Sequence, residues 1–177
     1  MKIFDAFFPA RRRRITAAKR WHDWILSTAR SPEPYQSGWV QDTRDGRFQM
    51  VALISTLVLR RLRDCDAEGR HLADLVYKAV FSDFDYALRE EGVGDSSIAR
   101  KIRRLGEEFF GLARAIDQAL SDSDLENAIA TVVVKNQIVS SQQAPDFAVW
   151  LININLYLQT TENSVALAGL NEKYSMI

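Results

Sequence analysis

Apolar positions recur at helical spacing along most of this chain. Trp21, Trp24, Ile25 and Thr28 predict a helix over residues 15–30. Residues 31–46 hold two prolines and two glycines and predict a loop, with Trp39 docking it on the body. A second helix is expected over 44–64. Phe48, Val51, Ala52, Ser55, Leu59 and Leu62 form one face, and Met50, Leu53, Ile54 and Leu57 form another. A helix apolar on both faces belongs at the centre of its bundle.

Leu72, Leu75, Val76, Ala79 and Val80 open a third helix over 72–91, which continues through Phe81, Phe84 and Leu88. Gly92-Val93-Gly94 should stop it, and Asp95 should cap the next. That fourth helix has the cleanest pattern, with Ile98, Ile102, Leu105, Phe109, Leu112, Ile116 and Leu120 on one face. Residues 121–124 offer several N-caps before a fifth helix marked by Leu125, Ala128, Ile129, Val132 and Val133. Residues 147–158 are ambiguous. Phe147, Trp150, Leu151, Ile154 and Leu158 fit a helix, while 153–158 alternates like a strand. Pro145 at a helix start and the helical neighbours favour helix. The expectation is an all-α, single-domain bundle of about six helices, with residues 1–14 as a separate basic and aromatic segment.

Composition changes this picture little. With 177 residues, 47% hydrophobic and 26% charged, the chain can bury one ordinary core. Charge is more telling. Lysines and arginines number 23, as do the acids, yet residues 1–30 hold eight bases against Asp5 and Asp23. That end is +6 and the remainder −6, which points the amino end toward an anionic partner. The single Cys65 excludes an internal disulfide and suits a reducing compartment. The longest apolar runs, 50–59 and 147–158, carry Ser55, Thr56, Asn153 and Asn155 and read as core, short of the roughly 20 residues a bilayer requires. Apolar residues precede the charges at the start, the reverse of a secretory signal. Asp5 and the lack of early serines argue against a mitochondrial transit peptide.

Candidate chemistry is sparse. His22, His71 and Cys65 have no recognised metal spacing, and both histidines read as surface residues. Nucleophile-elbow, phosphate-loop and H-E-x-x-H patterns are missing from the sequence. Gly92-Val93-Gly94-Asp95 follows a helix, not a strand, so it reads as a turn and not a phosphate cradle. Asp83/Asp85 and Glu90/Glu91 read as solvated faces. No catalytic residue, metal or cofactor is expected.

Residues 81–95 are the most unusual stretch. Asp85 meets Arg89 at i, i+4, worth about 0.2–0.5 kcal/mol on an isolated helix. Glu90 and Glu91 end one helix, where the macrodipole disfavours anions, and Arg100, Lys101, Arg103 and Arg104 begin the next, where it disfavours cations. Such a corner is either an ion-paired helix–turn–helix or a docking surface. As a docking surface it comprises Asp83, Asp85, Arg89, Glu90, Gly92, Val93, Gly94, Asp95, Lys101 and Arg104.

The same region carries a resemblance. Gly46-Arg47-Phe48, Leu59-Arg60-Arg61-Leu62, the run Phe81-x-Asp-x-Asp-x-x-Leu-Arg-Glu-x-Gly-Val-Gly-Asp, and Phe109-Phe110-Gly111 together resemble the ubiquinol–cytochrome c chaperone family. The likeness spans about residues 44–117, and 81–95 is its specific part. Two departures stand out. The family typically has Met at Glu91, and Phe-Tyr-Gly where this chain has Phe109-Phe110-Gly111, which removes a hydroxyl. The resemblance implies a non-enzymatic chaperone domain over 15–177. It would bind newly made cytochrome b or other complex III subunits, shield them and pass them to assembly. It further implies a small helper subunit and contact with the ribosome for mitochondrial relatives. This chain resembles a bacterial member, expected in the cytoplasm peripheral to the inner membrane; the mitochondrial matrix is the alternative. Two other readings remain: a nucleic-acid- or ribosome-binding helical module, and an uncharacterised enzyme.

Phe4, Phe7 and Phe8 precede Arg11, Arg12, Arg13 and Arg14. Aromatic anchors beside a cationic run suit an anionic membrane surface, at roughly 1 kcal/mol per basic residue. RNA is the competing partner, and a solvated tail the plain alternative.

Overall fold

The computed structural model describes residues 9–90 and 94–170, with the side chains of Asp95 and Ser96 outside that description. Phe4, Phe7, Phe8, Gly92 and Val93 also lie outside the described residues. The described residues form eight helices: α1 (Pro9–Ala29), α2 (Pro32–Gln36), α3 (Arg44–Arg63), α4 (Ala67–Glu90), α5 (Asp95–Ala119), α6 (Leu125–Lys135), α7 (Ala144–Thr160) and α8 (Asn163–Ala168). Six are eleven residues or longer, and two are short. The all-α expectation stands, and its count matches the long helices.

The central helix is α3, which packs against α1, α4, α5, α7 and α8. Every residue from 50 to 59 is buried, including Ser55 and Thr56. Their hydroxyls donate to the backbone oxygens of Val51 at 2.6 Å and Leu53 at 2.7 Å, so neither leaves a buried donor unmade. Thr43 caps α3 by accepting from the Gly46 amide at 3.1 Å. Gly46 is buried there, and an added Cβ would overlap the Gln41 carbonyl oxygen. This position therefore requires glycine.

Several boundaries differ from the sequence reading. Helix α1 starts at Pro9, six residues before the expected position, so Arg11, Arg12, Arg13 and Arg14 are helical. Apolar periodicity cannot register a first turn that faces solvent, although proline at a helix start and good helix formers after it do favour one. Helix α4 starts at Ala67, not Leu72, because Asp66 accepts from the Glu68 and Gly69 amides at 2.9 and 3.3 Å. Gly94, not Asp95, is the N-cap of α5, and Asp95 is its first helical residue. The expected loop contains α2, and its Trp39 does dock, edge-on to Phe147 at 6.1 Å. Residues 153–158 are helical within α7, and among the described residues no strand occurs. The short α8 was not expected; Trp21 holds it by donating from Nε1 to the Ala166 carbonyl at 2.8 Å.

At the end of α6, Gln137 adopts φ +58° while its amide and that of Ile138 bond back to Val134 and Val133 at 2.9 Å. A left-handed residue with a Cβ costs about 1–2 kcal/mol, and glycine relieves most of this at some entropic cost. Gln137→Gly should raise stability by about 0.5–1 kcal/mol. A lower melting midpoint for the variant would contradict that backbone geometry.

Candidate functional site: the corner of α4 and α5

The described residues expected to form a docking corner occupy the last turns of α4, the N-cap Gly94 and the first turns of α5. Asp83 does not stand alone. Its Oδ2 lies 2.8 Å from Nε2 of His22 on α1, and because a carboxylate only accepts, the ring nitrogen donates. His22 is thus not a plain surface histidine; its side chain is 17% exposed, against 52% for Asp83. Asp85 and Arg89 form the expected i, i+4 pair at 2.8 Å. Arg104 donates to Glu108 on its own helix at 2.8 Å, and this bond raises its pKa. Glu90, Gly94 and Lys101 are exposed. Among the described residues no ion pair crosses the turn. Among the described residues, Asp83 is met by α1, Asp85 within α4 and Arg104 within α5, while Arg100, Lys101 and Arg103 are exposed.

Behind the charges lies a cluster of six rings from three helices. Phe48 of α3 meets Phe84 of α4 at 4.3 Å between ring centres. Phe81 meets Phe84 at 5.3 Å and Phe109 of α5 at 5.4 Å. Tyr77 meets Phe81 at 4.3 Å and Phe110 at 5.5 Å. Offset and edge-on pairs of this kind contribute about 0.5–1.5 kcal/mol each beyond burial. Partial burial also pushes the Tyr77 hydroxyl pKa above its ordinary value. Three of the four family-like segments supply five of these rings, and Tyr77 precedes them on α4. The fourth, around Arg60 and Arg61, ties α3 to its neighbours: Arg60 reaches Asp117 of α5 at 2.8 Å, and Arg61 reaches the end of α7.

Arg61 is the main residue that sequence reasoning misses. It is buried at 5% exposure, and three of its nitrogens donate to the carbonyls of Leu158 and Thr161, to Asn163 Oδ1 and to Cys65 Sγ. A signal exists: Ile54, Leu57 and Val58 precede it by seven, four and three residues, so helical spacing places it on a buried stripe.

The amino-terminal cations are split. Arg11, Arg12 and Arg13 are exposed, whereas Arg14 is tied to Glu68 of α4, which raises its pKa. A cleft of about 1190 Å³ opens between the end of α1, α2 and α7. Thr28, Arg30, Glu33, Trp39, Val149 and Trp150 line it. Among the described residues no helix is long and apolar enough to cross a membrane.

Comparison with known proteins places this architecture. The crystal structure of the Cbp3 homolog from Brucella abortus superposes with a TM-score of 0.83, covering 96% of this chain and 94% of that one at 24% identity. At that identity the likeness establishes the fold. No curated protein matches the chain. A family model described as ubiquinol-cytochrome C chaperone matches residues 37–169, from the end of α2 to the end of α8. Three quarters of the sequence therefore carries the family pattern, and the chain belongs to the ubiquinol–cytochrome c chaperone family.

Proposed function

We propose that this protein is a non-catalytic assembly chaperone that binds cytochrome b, or a neighbouring complex III subunit, and supports biogenesis of ubiquinol–cytochrome c reductase. The family match over residues 37–169 carries this reading. The corner of α4 and α5 is the proposed client surface. Its acids lie on the segment with the most specific family likeness, residues 81–95, and Asp83, Glu90 and Lys101 reach solvent.

Asp83→Lys tests the corner. Its pair with His22 is half exposed, and such pairs contribute about 0–1 kcal/mol. For a domain of this length the melting midpoint should then fall by no more than about 4 °C. Complex III content and co-purification of cytochrome b from respiring cells should fall sharply. His22→Gln keeps a donor opposite Asp83 and should retain both. Unchanged complex III in the Asp83→Lys strain would move the client surface elsewhere, with the cleft beside α7 as the next place to look.

The exposed cations of α1 support peripheral contact with an anionic membrane as part of the same role. Deleting residues 1–14 would also remove the first turn of α1 and the Arg14 contact with Glu68. Replacing Arg11, Arg12 and Arg13 together by Gln avoids both. Sedimentation with vesicles containing anionic lipid should drop for this variant, by up to about 3 kcal/mol at low salt. Equal sedimentation of both proteins would remove lipid from the proposal, and retention on RNA instead would favour a ribosomal contact.

A further inference from the structure

The cleft between the end of α1, α2 and α7 repeats one chemical theme on two sides. Glu33 of α2 and Trp39 of the loop after it line one side, and Asp146 and Trp150, one turn apart on α7, line the other. Each side thus pairs a carboxylate with an indole. Phe147 sets both rings: Trp39 stands edge-on to it at 6.1 Å, and Trp150 lies tilted against it at 5.4 Å. Gln143 donates from Nε2 to the Gly38 carbonyl at 2.7 Å, which fastens the loop of Trp39 to the start of α7 and holds the two sides in place. Among the described residues, neither Glu33 nor Asp146 makes an ion pair. Arg30 is the one cation on the lining. The Tyr35 hydroxyl, which is not on the lining, feels its charge, so Arg30 lies on the Tyr35 side of the cleft. Ser31, also on the lining, is the N-cap of α2 but caps no amide with its side chain, and its hydroxyl is buried without a hydrogen-bond partner among the described residues.

We infer that this cleft holds an extended basic segment of a partner protein, with an arginine or lysine side chain between Trp39 and Trp150 and its charge on Glu33 and Asp146. Indole rings attract cations, and a carboxylate beside each ring stabilises the same charge. Size decides between a lone amine and a length of chain. At about 1190 Å³ the cleft exceeds the roughly 300–1,000 Å³ that suits a small ligand. A peptide also brings an amide donor and a carbonyl acceptor at every residue, and Ser27, Thr28, Gln36 and Asn153 on the lining can answer both. Val149, 45% exposed at the edge, offers apolar surface to a neighbouring side chain of the segment. Phosphate-bearing partners fit poorly, because two acids oppose one base. The cleft shares no residue with the corner of α4 and α5, so this inference goes beyond client binding there and stands whichever client the corner takes.

A labelled peptide about eight residues long, with Leu-Arg-Leu at its centre between serines and glycines, is the probe. Titrated into the full chain and followed by anisotropy, it should bind at least roughly tenfold tighter than the same peptide with citrulline, which keeps the shape of arginine without its charge. The double variant E33Q/D146N should remove most of that difference, and Trp150→Leu should weaken the arginine peptide at least roughly fivefold. The double variant E107Q/E126Q removes two exposed carboxylates outside the lining and should leave the affinity unchanged. Circular dichroism should show every variant folded. Equal affinity for the two peptides, no saturable binding of the arginine peptide, or equal weakening by the two double variants overturns the inference. Displacement of the probe by arginine amide as readily as by unlabelled peptide overturns it in favour of a small organic cation. Tighter binding of a peptide with glutamate at its centre overturns it in favour of an acidic partner held by Arg30.

Discussion

Phe109→Ala should cost about 3–5 kcal/mol of unfolding free energy, the range for a buried phenylalanine truncated in a packed core. Phe109 is 3% exposed and touches three other rings, Tyr77 at 5.8 Å, Phe81 at 5.4 Å and Phe110 at 5.7 Å. Its removal opens a void where α4 and α5 meet, and none of these rings can collapse into it without leaving another partner. The loss is a large share of a typical stability of about 5–15 kcal/mol. Its sequence neighbour gives the control. Phe110 is 51% exposed, and Phe110→Ala should cost about 1–2 kcal/mol, since much of its surface is already wet and two ring contacts are lost. A denaturant titration reads both. Similar losses for the two would mean that α5 is rotated about its axis from the orientation described.

The buried face of α5 is legible in the amino-acid pattern itself. Ile98, Phe109, Leu112 and Ile116 are buried, and Ile102 and Leu105 pack partly buried against the same core. A seven-position apolar stripe on one helix leaves a single face to bury, so its register follows from spacing alone. Helix α3 is readable for the opposite reason: apolar on all sides, it can only be central. Ends are less legible. The first turn of α1 is built from arginines that touch little, and α8 is six residues long, too short to show a period. The charged corner is half legible. Residue types reveal the signs of its charges but not their partners, because Asp83 meets His22 across 61 positions, through the rotation of α1 against α4. The separation of Phe110, 51% exposed, from Phe109, 3% exposed, requires both helices in place, since the two lie side by side on α5 and only the packing of α4 covers one of them.

Arg61→Met should destabilise the protein by about 3 kcal/mol or more, and the damage should concentrate at the end of α7. A buried cation is ordinarily matched by a carboxylate, but among the described residues none pairs with Arg61. Its countercharge is the carboxyl end of α7, where aligned peptide dipoles leave about half a negative charge and unpaired carbonyls. The guanidinium answers both. Its Nε donates to Leu158 at 2.9 Å, and Nη2 donates to Thr161 at 2.6 Å and to Asn163 Oδ1 at 2.7 Å, which also anchors the start of α8. Replacing a buried ion pair by apolar residues is often harmless when both partners go. Here two of the partners are backbone carbonyls, which no substitution can remove. Each buried acceptor left without a donor costs about 1–3 kcal/mol, so methionine of similar length fills the space and leaves the acceptors unmet. Arg61→Lys should fall between, because one ammonium cannot span the fork that meets Leu158 and Thr161 together. Hydrogen exchange should show residues 158–170 losing protection first, while the amides of α3 hold until global unfolding. A methionine variant within about 1 kcal/mol of the parent, with that segment still protected, would mean that these carbonyls find water in solution and that Arg61 is not what fastens α7 and α8 to the core.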